Sequence, residues 1–453
     1  MSESSSEPGE DGAQDAAAAP LAPRPDELPV LGSAVAFSRD PYGMYQRFRE
    51  TGDVVRFSMA NYDMATVLHP EYVEVVLVDD FERFRKPTTM ADLSALSDGL
   101  LLTDGERWRA QRTLLQPMFY RERVEAYADT MSEYAAAAAD EWADRGAVDV
   151  QDATSAYTLR VLGKTLLGVE TESHRDAVRA GADAIRARSA ENPLTVQIPE
   201  WVPTPSNRRY RRGVERFEAA VEDLVAERRR EDGDRDDLLS LLLDAEYEDG
   251  SSPDEDEIRS QLMTFLFAGH DTSAVALTWL VYELGRKPDV ARKLHAEVDD
   301  VLDGGRATLA DLPDLPYTEQ VVREGLRRYP PATAIFREPR EDVAVGGYRI
   351  PEGTFVTVPQ FVVHRDPRWW DDPEAFDPSR WAGVEDPPGD RPEYSYFPFG
   401  GGPRHCIGMR FALLELKLAL ATVAARVDVH HDHDDVGLDL AATYQPDETI
   451  RAT

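Results

Sequence analysis

Apolar residues recur every three to four positions through much of this chain, the spacing of amphipathic helix. The period holds over 106–116, 120–144, 151–168, 173–189 and 207–230, and lapses across the proline-punctuated stretch IPEWVPTPSN at 198–207. Two segments follow a different pattern. GDVVRFSMANYDMATVLHP (52–70) holds two β-rich runs about a turn, then predicts a helix from about Pro70; GGYRIPEGTFVTVP (346–359) predicts a second pair of strands. Residues 362–396 form a proline- and tryptophan-rich meander with neither period. Helix dominates and sheet is minor, so the fold class is mainly α with minor β.

The longest predicted helix carries the most information. In SPDE (252–255), Ser252 takes the N-cap, Pro253 the first turn and Glu255 the third position after the cap, which is a capping box. Apolar residues then continue to about Gly285, giving ~30 residues or ~45 Å, enough to cross the molecule. Its centre reads FLFAGHDTSA (265–274). Gly269 costs about 1 kcal/mol against alanine there, and Asp271 and Thr272 bring a carboxyl and a hydroxyl into an apolar segment. Such a notch serves either a packing kink or chemistry, and the residues alone leave both open.

Charge changes the picture of the surface. The chain has 85 acidic and 50 basic residues among 453, a formal charge of −35, and only five of the bases are lysine. Screening counter-ions are needed for such a chain to compact, which points to a salt-rich cytoplasm of the halophilic archaeal kind. Nucleic acid is excluded as a partner, since no excess of cations is available to release its counter-ions. The first 28 residues are acidic and Ala/Pro/Ser-rich and predict a disordered tail before a single domain over 29–453. They form neither a signal peptide nor an anchor, and no transmembrane run occurs, so the expected location is cytoplasmic.

The single cysteine lies in FPFGGGPRHCIG (397–408). One cysteine makes no internal disulfide and no four-cysteine metal site. The common fate of a lone cysteine is inert packing, but its surroundings argue otherwise. Gly400, Gly401, Gly402 and Gly408 permit tight turns and close approach to a flat guest. A helix from Ile407 aims its amides back at the sulfur, which favours thiolate. Arg404 supplies a cation suited to a carboxylate. Together they fit haem bound through sulfur, with its propionates nearby.

F-x-x-G-x-R-x-C-x-G, met by Phe399, Gly402, Arg404, Cys406 and Gly408, is similar to the haem-ligand signature of the cytochrome P-450 haem-thiolate monooxygenases. AGHDT (268–272) resembles that family's oxygen-activation segment, and EGLR (324–327), followed by YPP (329–331), its E-x-x-R helix. FDPSRW (376–381) resembles the segment that completes a Glu–Arg–Arg triad, and WRAQR (108–112) the helix across a haem propionate. The likeness spans roughly residues 28–450 and implies the P-450 fold. It implies haem b as cofactor with dioxygen (O2) as co-substrate, and Cys406 as the axial iron ligand. Arg404, Arg112, Trp108 and Arg337 become candidate propionate partners; Phe399 is placed beside the sulfur. Asp271 and Thr272 become the proton-delivering pair, and Glu324, Arg327 and Arg380 a structural network.

The resemblance implies one oxygen atom inserted into an apolar, lipid-like substrate, a fatty acid or terpenoid, with Thr333, Ala334 and Ile335 lining its pocket. The segments 90–102 and 184–204 correspond to further pocket walls. No dinucleotide fingerprint remains, so electrons come from a separate ferredoxin or similar donor, docking near Arg107, Arg109, Arg121 and Arg123. Alternatives are a haem-thiolate peroxygenase or isomerase, which needs no electron donor, and a haem-based redox or gas sensor. VHHDHDD (429–435) reads as a surface loop, and His270 as packing.

Overall fold

One helix sets the frame. In the computed structural model, which describes residues 18–59, 62–92, 94–190, 198, 200–230, 237–383, 387–433, 436–440 and 443–453, the segment Glu255–Arg286 is a single 32-residue α-helix. Its N-cap is Asp254, whose carboxylate accepts the Glu257 amide at 2.8 Å. The cap therefore sits two residues beyond the expected Ser252, and Pro253 lies before the helix rather than in its first turn. Glu255, Asp256 and Glu257 then fill the first turn, where carboxylates meet the positive end of the helix dipole.

Among the described residues, ten helices reach eleven residues or more. They are α1 Pro41–Thr51, α2 Gly105–Leu115, α3 Ala128–Arg145, α4 Val150–Leu162, α5 Arg175–Ala190, α6 Pro205–Arg230, α7 Glu255–Arg286, α8 Pro288–Leu302, α9 Pro316–Arg328 and α10 Met409–Ala424. The expected helix over 120–144 is two pieces, Arg121–Glu125 and α3. The expected 151–168 helix ends as a wider π turn, Gly163–Leu167, closed by left-handed Gly168. Helix α7 runs through the middle, packed against α4, α6, α9 and α10, while α5 and α6 pack on each other.

The principal sheet has strands β1 Val54–Met59, β2 Tyr62–Val67, β3 Phe84–Arg85, β4 Ala334–Pro339 and β7 Phe355–Pro359, in the order β1-β2-β7-β4-β3. β1 and β2 are the expected hairpin, with Val54 opposite Val67. The strands expected together over 346–359 separate: β6 Tyr348–Ile350 pairs with β5 Val343–Val345, whereas β7 joins β2 in parallel and β4 antiparallel. Gly346 and Gly347 both have positive φ and make the two-residue turn between β5 and β6. Part of the predicted tail also joins the fold. Pro23 accepts the Arg56 amide and Glu27 the Ser58 amide, which ties this part of the predicted tail to β1. Residues 1–17 of that tail lie outside the described residues.

Two buried acids hold the helical body in different ways. Glu324 and Arg327, both fully buried, pair through two parallel bonds of 2.8 Å. Arg327 also donates to the carbonyls of His364, Pro373 and Ala375, which pins the meander to α9. Glu324 further accepts the Trp381 indole at 3.0 Å and the Asp377 amide at 2.9 Å, and Arg380 approaches it to 3.4 Å. Every lone pair has a partner, the condition under which a buried ion pair is tolerated.

Glu415 of α10 has no such compensation. Neither carboxyl oxygen has a well-formed hydrogen bond, and burial raises its pKa from 4.5 to about 8, with the Ser273 hydroxyl of α7 pulling the other way. Between those values the folded protein holds a proton that the unfolded chain has released. Stability therefore falls as pH rises from about 4.5 and levels off above about 8. Glu415→Gln removes that slope. Denaturant melts of the variant should gain on the parent as pH rises from 5 to 8, by on the order of 3 kcal/mol at pH 7; parallel pH profiles would show that Glu415 is charged in the fold.

Candidate active site

Cys406 is placed by its own loop. Its amide donates to the Phe399 carbonyl at 2.8 Å, which closes the loop on itself. A 3-10 turn, Gly402–Arg404, precedes it, and α10 starts at Met409 with Gly408 as N-cap, two residues later than expected. Gly402 has φ +63°, and a Cβ there would lie 2.0 Å from the Leu77 carbonyl oxygen. Its clearance serves the protein's own backbone, not a flat guest. The thiol is hemmed in enough that burial pushes its pKa up, against the Gly408 amide and Arg112, yet the residue is exposed. Both hold when the sulfur faces a slot inside the molecule.

Helix α7 opens at the same level. From Ile258 to Leu284 it is buried at every position except Arg259, Ala268, Gly269 and Thr272. Ala268 and Thr272 are one turn apart and share a face. Phe265, one turn before Ala268, stacks on Phe119 at 5.6 Å, and Phe119 lies 3.9 Å from the position a Cβ would take on Gly408. This chain of contacts sets the notch of α7 beside the cysteine loop. Thr272 Oγ donates to the Ala268 carbonyl at 2.6 Å. Asp271, buried, accepts from Arg186 of α5 at 2.6 Å, from Thr443 at 2.9 Å and from Gln445 at 3.3 Å. His270 faces away, bonded to Ser155 at 2.7 Å, and burial lowers its pKa to about 4.

Cations gather on one side of the slot. Arg112 donates to the His405 carbonyl at 2.9 Å and lies 3.3 Å from its Nε2. The Arg404 guanidinium stands 4.3 Å over the Trp108 ring and donates to Asp104 at 2.6 Å and the Thr103 carbonyl at 2.9 Å. Arg337, 4 % exposed, bonds only its neighbour's carbonyl at Phe336 and makes no ion pair among the described residues. Burial first, then Arg404, lowers its pKa to about 10, and burial does the same for Arg404. Lys86 completes the group: burial first, then Arg337 and Arg404, push its ammonium well below the usual range. Lys86 was not singled out from sequence. Its only signal is that it is one of five lysines in an arginine-rich chain.

Of the expected pocket residues, Thr333 is buried, while Ala334 and Ile335 are half-buried at the start of β4. Ile335 reaches to 3.3 Å of the Cβ position of Gly400, so β4 leans on the cysteine loop. Residues 191–197 of the expected pocket wall lie outside the described residues. In the histidine-rich stretch, His431 stacks on Tyr282 at 5.0 Å and His433 sits 3.1 Å from Glu448.

The model of the family described as Cytochrome P450 matches residues 22–442. The chain belongs to the cytochrome P450 family. Curated relatives include cyclooctat-9-en-7-ol 5-monooxygenase of Streptomyces melanosporofaciens, 34 % identical over 89 % of this chain and 88 % of that protein. Pentalenene oxygenase of Streptomyces avermitilis is 34 % identical over 93 % and 94 %. Among solved structures, retinoic acid bound cyanobacterial CYP120A1 superposes with a TM-score of 0.84, at 23 % identity, over 96 % of this chain and 99 % of that one, which identifies the fold. This P450 is a monooxygenase, and its family works with haem and dioxygen.

The residues present fit that group. A sulfur facing an internal slot suits iron, and a set of buried cations with Asp104 as its nearest acid suits a pair of carboxylates. No group of three or more His, Cys, Asp or Glu side chains among the described residues could hold a bare metal ion. Lys86→Met and Arg337→Met each delete one charged donor, a loss of about 1.5–3 kcal/mol. Haem transfer to apomyoglobin should run at least about ten-fold faster from either variant. A rate equal to the parent's would remove that residue from the propionate site.

Proposed function

We propose that this P450 hydroxylates an apolar isoprenoid, with haem b held by Cys406 and electrons drawn from a separate ferredoxin. One oxygen atom enters a C–H bond and the other leaves as water, for which two electrons and two protons are needed. Haem ligated by thiolate supplies dioxygen binding and activation. The observation that carries the reading is the opening of α7 at Ala268 and Thr272 beside the Cys406 loop. In this reading Arg404, Arg112, Trp108, Arg337 and Lys86 hold the propionates, while Phe399, Gly402 and Gly408 shape the ligand loop. Thr333, Ala334 and Ile335 face the substrate. The names of the Streptomyces relatives, one a monooxygenase of cyclooctat-9-en-7-ol and one an oxygenase of pentalenene, support the isoprenoid class.

Proton delivery falls to Asp271 and Thr272. The hydrogen of Thr272 is committed to the Ala268 carbonyl, so its oxygen is free to accept and to orient a water on the open side. Asp271 is held by Arg186, Thr443 and Gln445, and release from Arg186 lets the carboxylate turn between solvent and the site. Three measurements test this. The reduced protein under carbon monoxide should show the red-shifted band of thiolate ligation, and Cys406→Ser should abolish it. Thr272→Ala and Asp271→Asn should lower product formed per electron consumed by roughly a hundred-fold, with the band intact. Turnover on peroxide alone, indifferent to ferredoxin, would replace this reading with a peroxygenase.

The proposed docking arginines are partly spoken for. Arg107 pairs with Asp98 at 2.8 Å, Arg109 with Glu82 at 2.6 Å and Arg121 with Glu125 at 2.6 Å. Arg123 contacts the Met118 sulfur. Arg410, exposed and without an ion pair among the described residues, follows the ligand loop directly and adds to the patch. Exposed pairs are worth little and exchange partners readily. Arg109→Glu with Arg410→Glu should slow ferredoxin-driven reduction at low salt and not at high salt. An unchanged low-salt rate would move the docking face elsewhere.

A further inference from the structure

Helices α5 and α6 lie against each other through small residues. A Cβ at Gly181 would strike the Phe217 side chain at 2.5 Å, and one at Gly213 would strike Ala184 at 2.4 Å. On their outer side they leave a groove of about 660 Å³. One wall is Ala180, Ala184 and Ala187 of α5; the other is Arg208, Arg209, Arg212 and Arg216 of α6. All four arginines are exposed, and none makes an ion pair among the described residues. Asp183 is the one acid lining the groove, and its carboxylate is already paired with Arg186. A chain of net charge −35 thus keeps four uncompensated cations together.

Their placement opposes the helix that carries them. Arg208, Arg212 and Arg216 follow one another at i, i+4 and i+8, so each repels the next. Arg208 and Arg209 also lie near the positive end of the dipole, and the first turn of α6 holds no acid to offset them. An anion in the groove relieves both. A single carboxylate engages one guanidinium; four that span about 12 Å along the helix match a group with several charges and many acceptor oxygens. The alanine wall beside them offers contact to a short apolar chain.

We infer that the groove between α5 and α6 binds a phosphorylated amphiphile, a diphosphate or phosphomonoester on an apolar chain, with its phosphoryl oxygens on Arg208, Arg209, Arg212 and Arg216. The site is separate from the Cys406 slot and does not depend on the reading of the haem chemistry. The same headgroup chemistry occurs in a soluble prenyl diphosphate and on an anionic lipid surface, and the experiment separates them.

The full-length protein is titrated by calorimetry at fixed ionic strength with geranyl diphosphate, inorganic diphosphate, geraniol and vesicles of phosphatidylglycerol. The expected result is one saturable site for geranyl diphosphate, weaker binding of inorganic diphosphate and none of geraniol at that site. Arg209→Glu with Arg212→Glu should weaken geranyl diphosphate at least ten-fold, with an unchanged melting temperature and carbon monoxide band. Ala187→Phe, at an exposed wall position, should weaken geranyl diphosphate more than inorganic diphosphate. Equal affinity in parent and arginine variant overturns the assignment, and so does binding to vesicles with none to the soluble diphosphates. If the double variant fails to fold, Arg216→Gln alone decides: its affinity falls or the assignment does.

Discussion

The site depends on charges of one sign being held together where water cannot shield them. Burial lowers the proton affinity of Lys86, Arg337 and Arg404, and neighbouring cations add to it: Arg337 and Arg404 act on Lys86, and Arg404 on Arg337. Asp104 is the acid that reaches them, and Arg340 shares it. In a protein with 35 more acids than bases, supplying carboxylates would have been easy. Their scarcity at this place supports the proposal that a ligand's carboxylates belong there. On that proposal the cost of the bare cluster is offset by binding, so affinity for the dicarboxylate group and instability without it would be one quantity.

The rest of the architecture serves to bring this cluster, the cysteine loop and the notch of α7 to one level. Sheet pairing carries Arg337 in through β4, which β7 holds from the other side. Helix α2 carries Trp108 and Arg112, and Arg112 fastens it to the loop through both the carbonyl and the ring of His405. The meander is locked by Glu324 and Arg327 before it delivers Phe397 and Phe399, and His364 accepts the Phe397 amide at 2.8 Å. These ties are polar, and those through Glu324–Arg327 and His364 are buried, so the loop has few alternative positions.

Much of this was legible in the chain because it rests on local rules. The 3.6-residue period located the helices, and the glycines and the lone cysteine marked the ligand loop. What failed was set by tertiary contact. The strands over 346–359 look like a hairpin by propensity, yet β7 finds a parallel partner in β2, far away in sequence. The cap of α7 is Asp254 and not Ser252, since it is the Asp254 carboxylate that takes the Glu257 amide. Lys86 had no motif at all; only the fold places its ammonium near Arg337. Glu415 reads as an ordinary amphipathic-helix acid, and its burial follows from which face of α10 meets α7 and α3.

The arginine-for-lysine bias ties these points together. Of 50 basic residues, 45 are arginine. A guanidinium keeps its charge when buried and spends five donors in fixed directions, so it can bind two or three backbone carbonyls while still pairing an acid. Arg327 does this at the meander, and Arg404 holds one carbonyl and one acid at the slot. Arg186 instead joins two acids, Asp183 and Asp271, so the ion pair that ties α5 to α7 also restrains the acid beside Thr272. Movement of α5 and freedom of Asp271 are therefore coupled through one side chain.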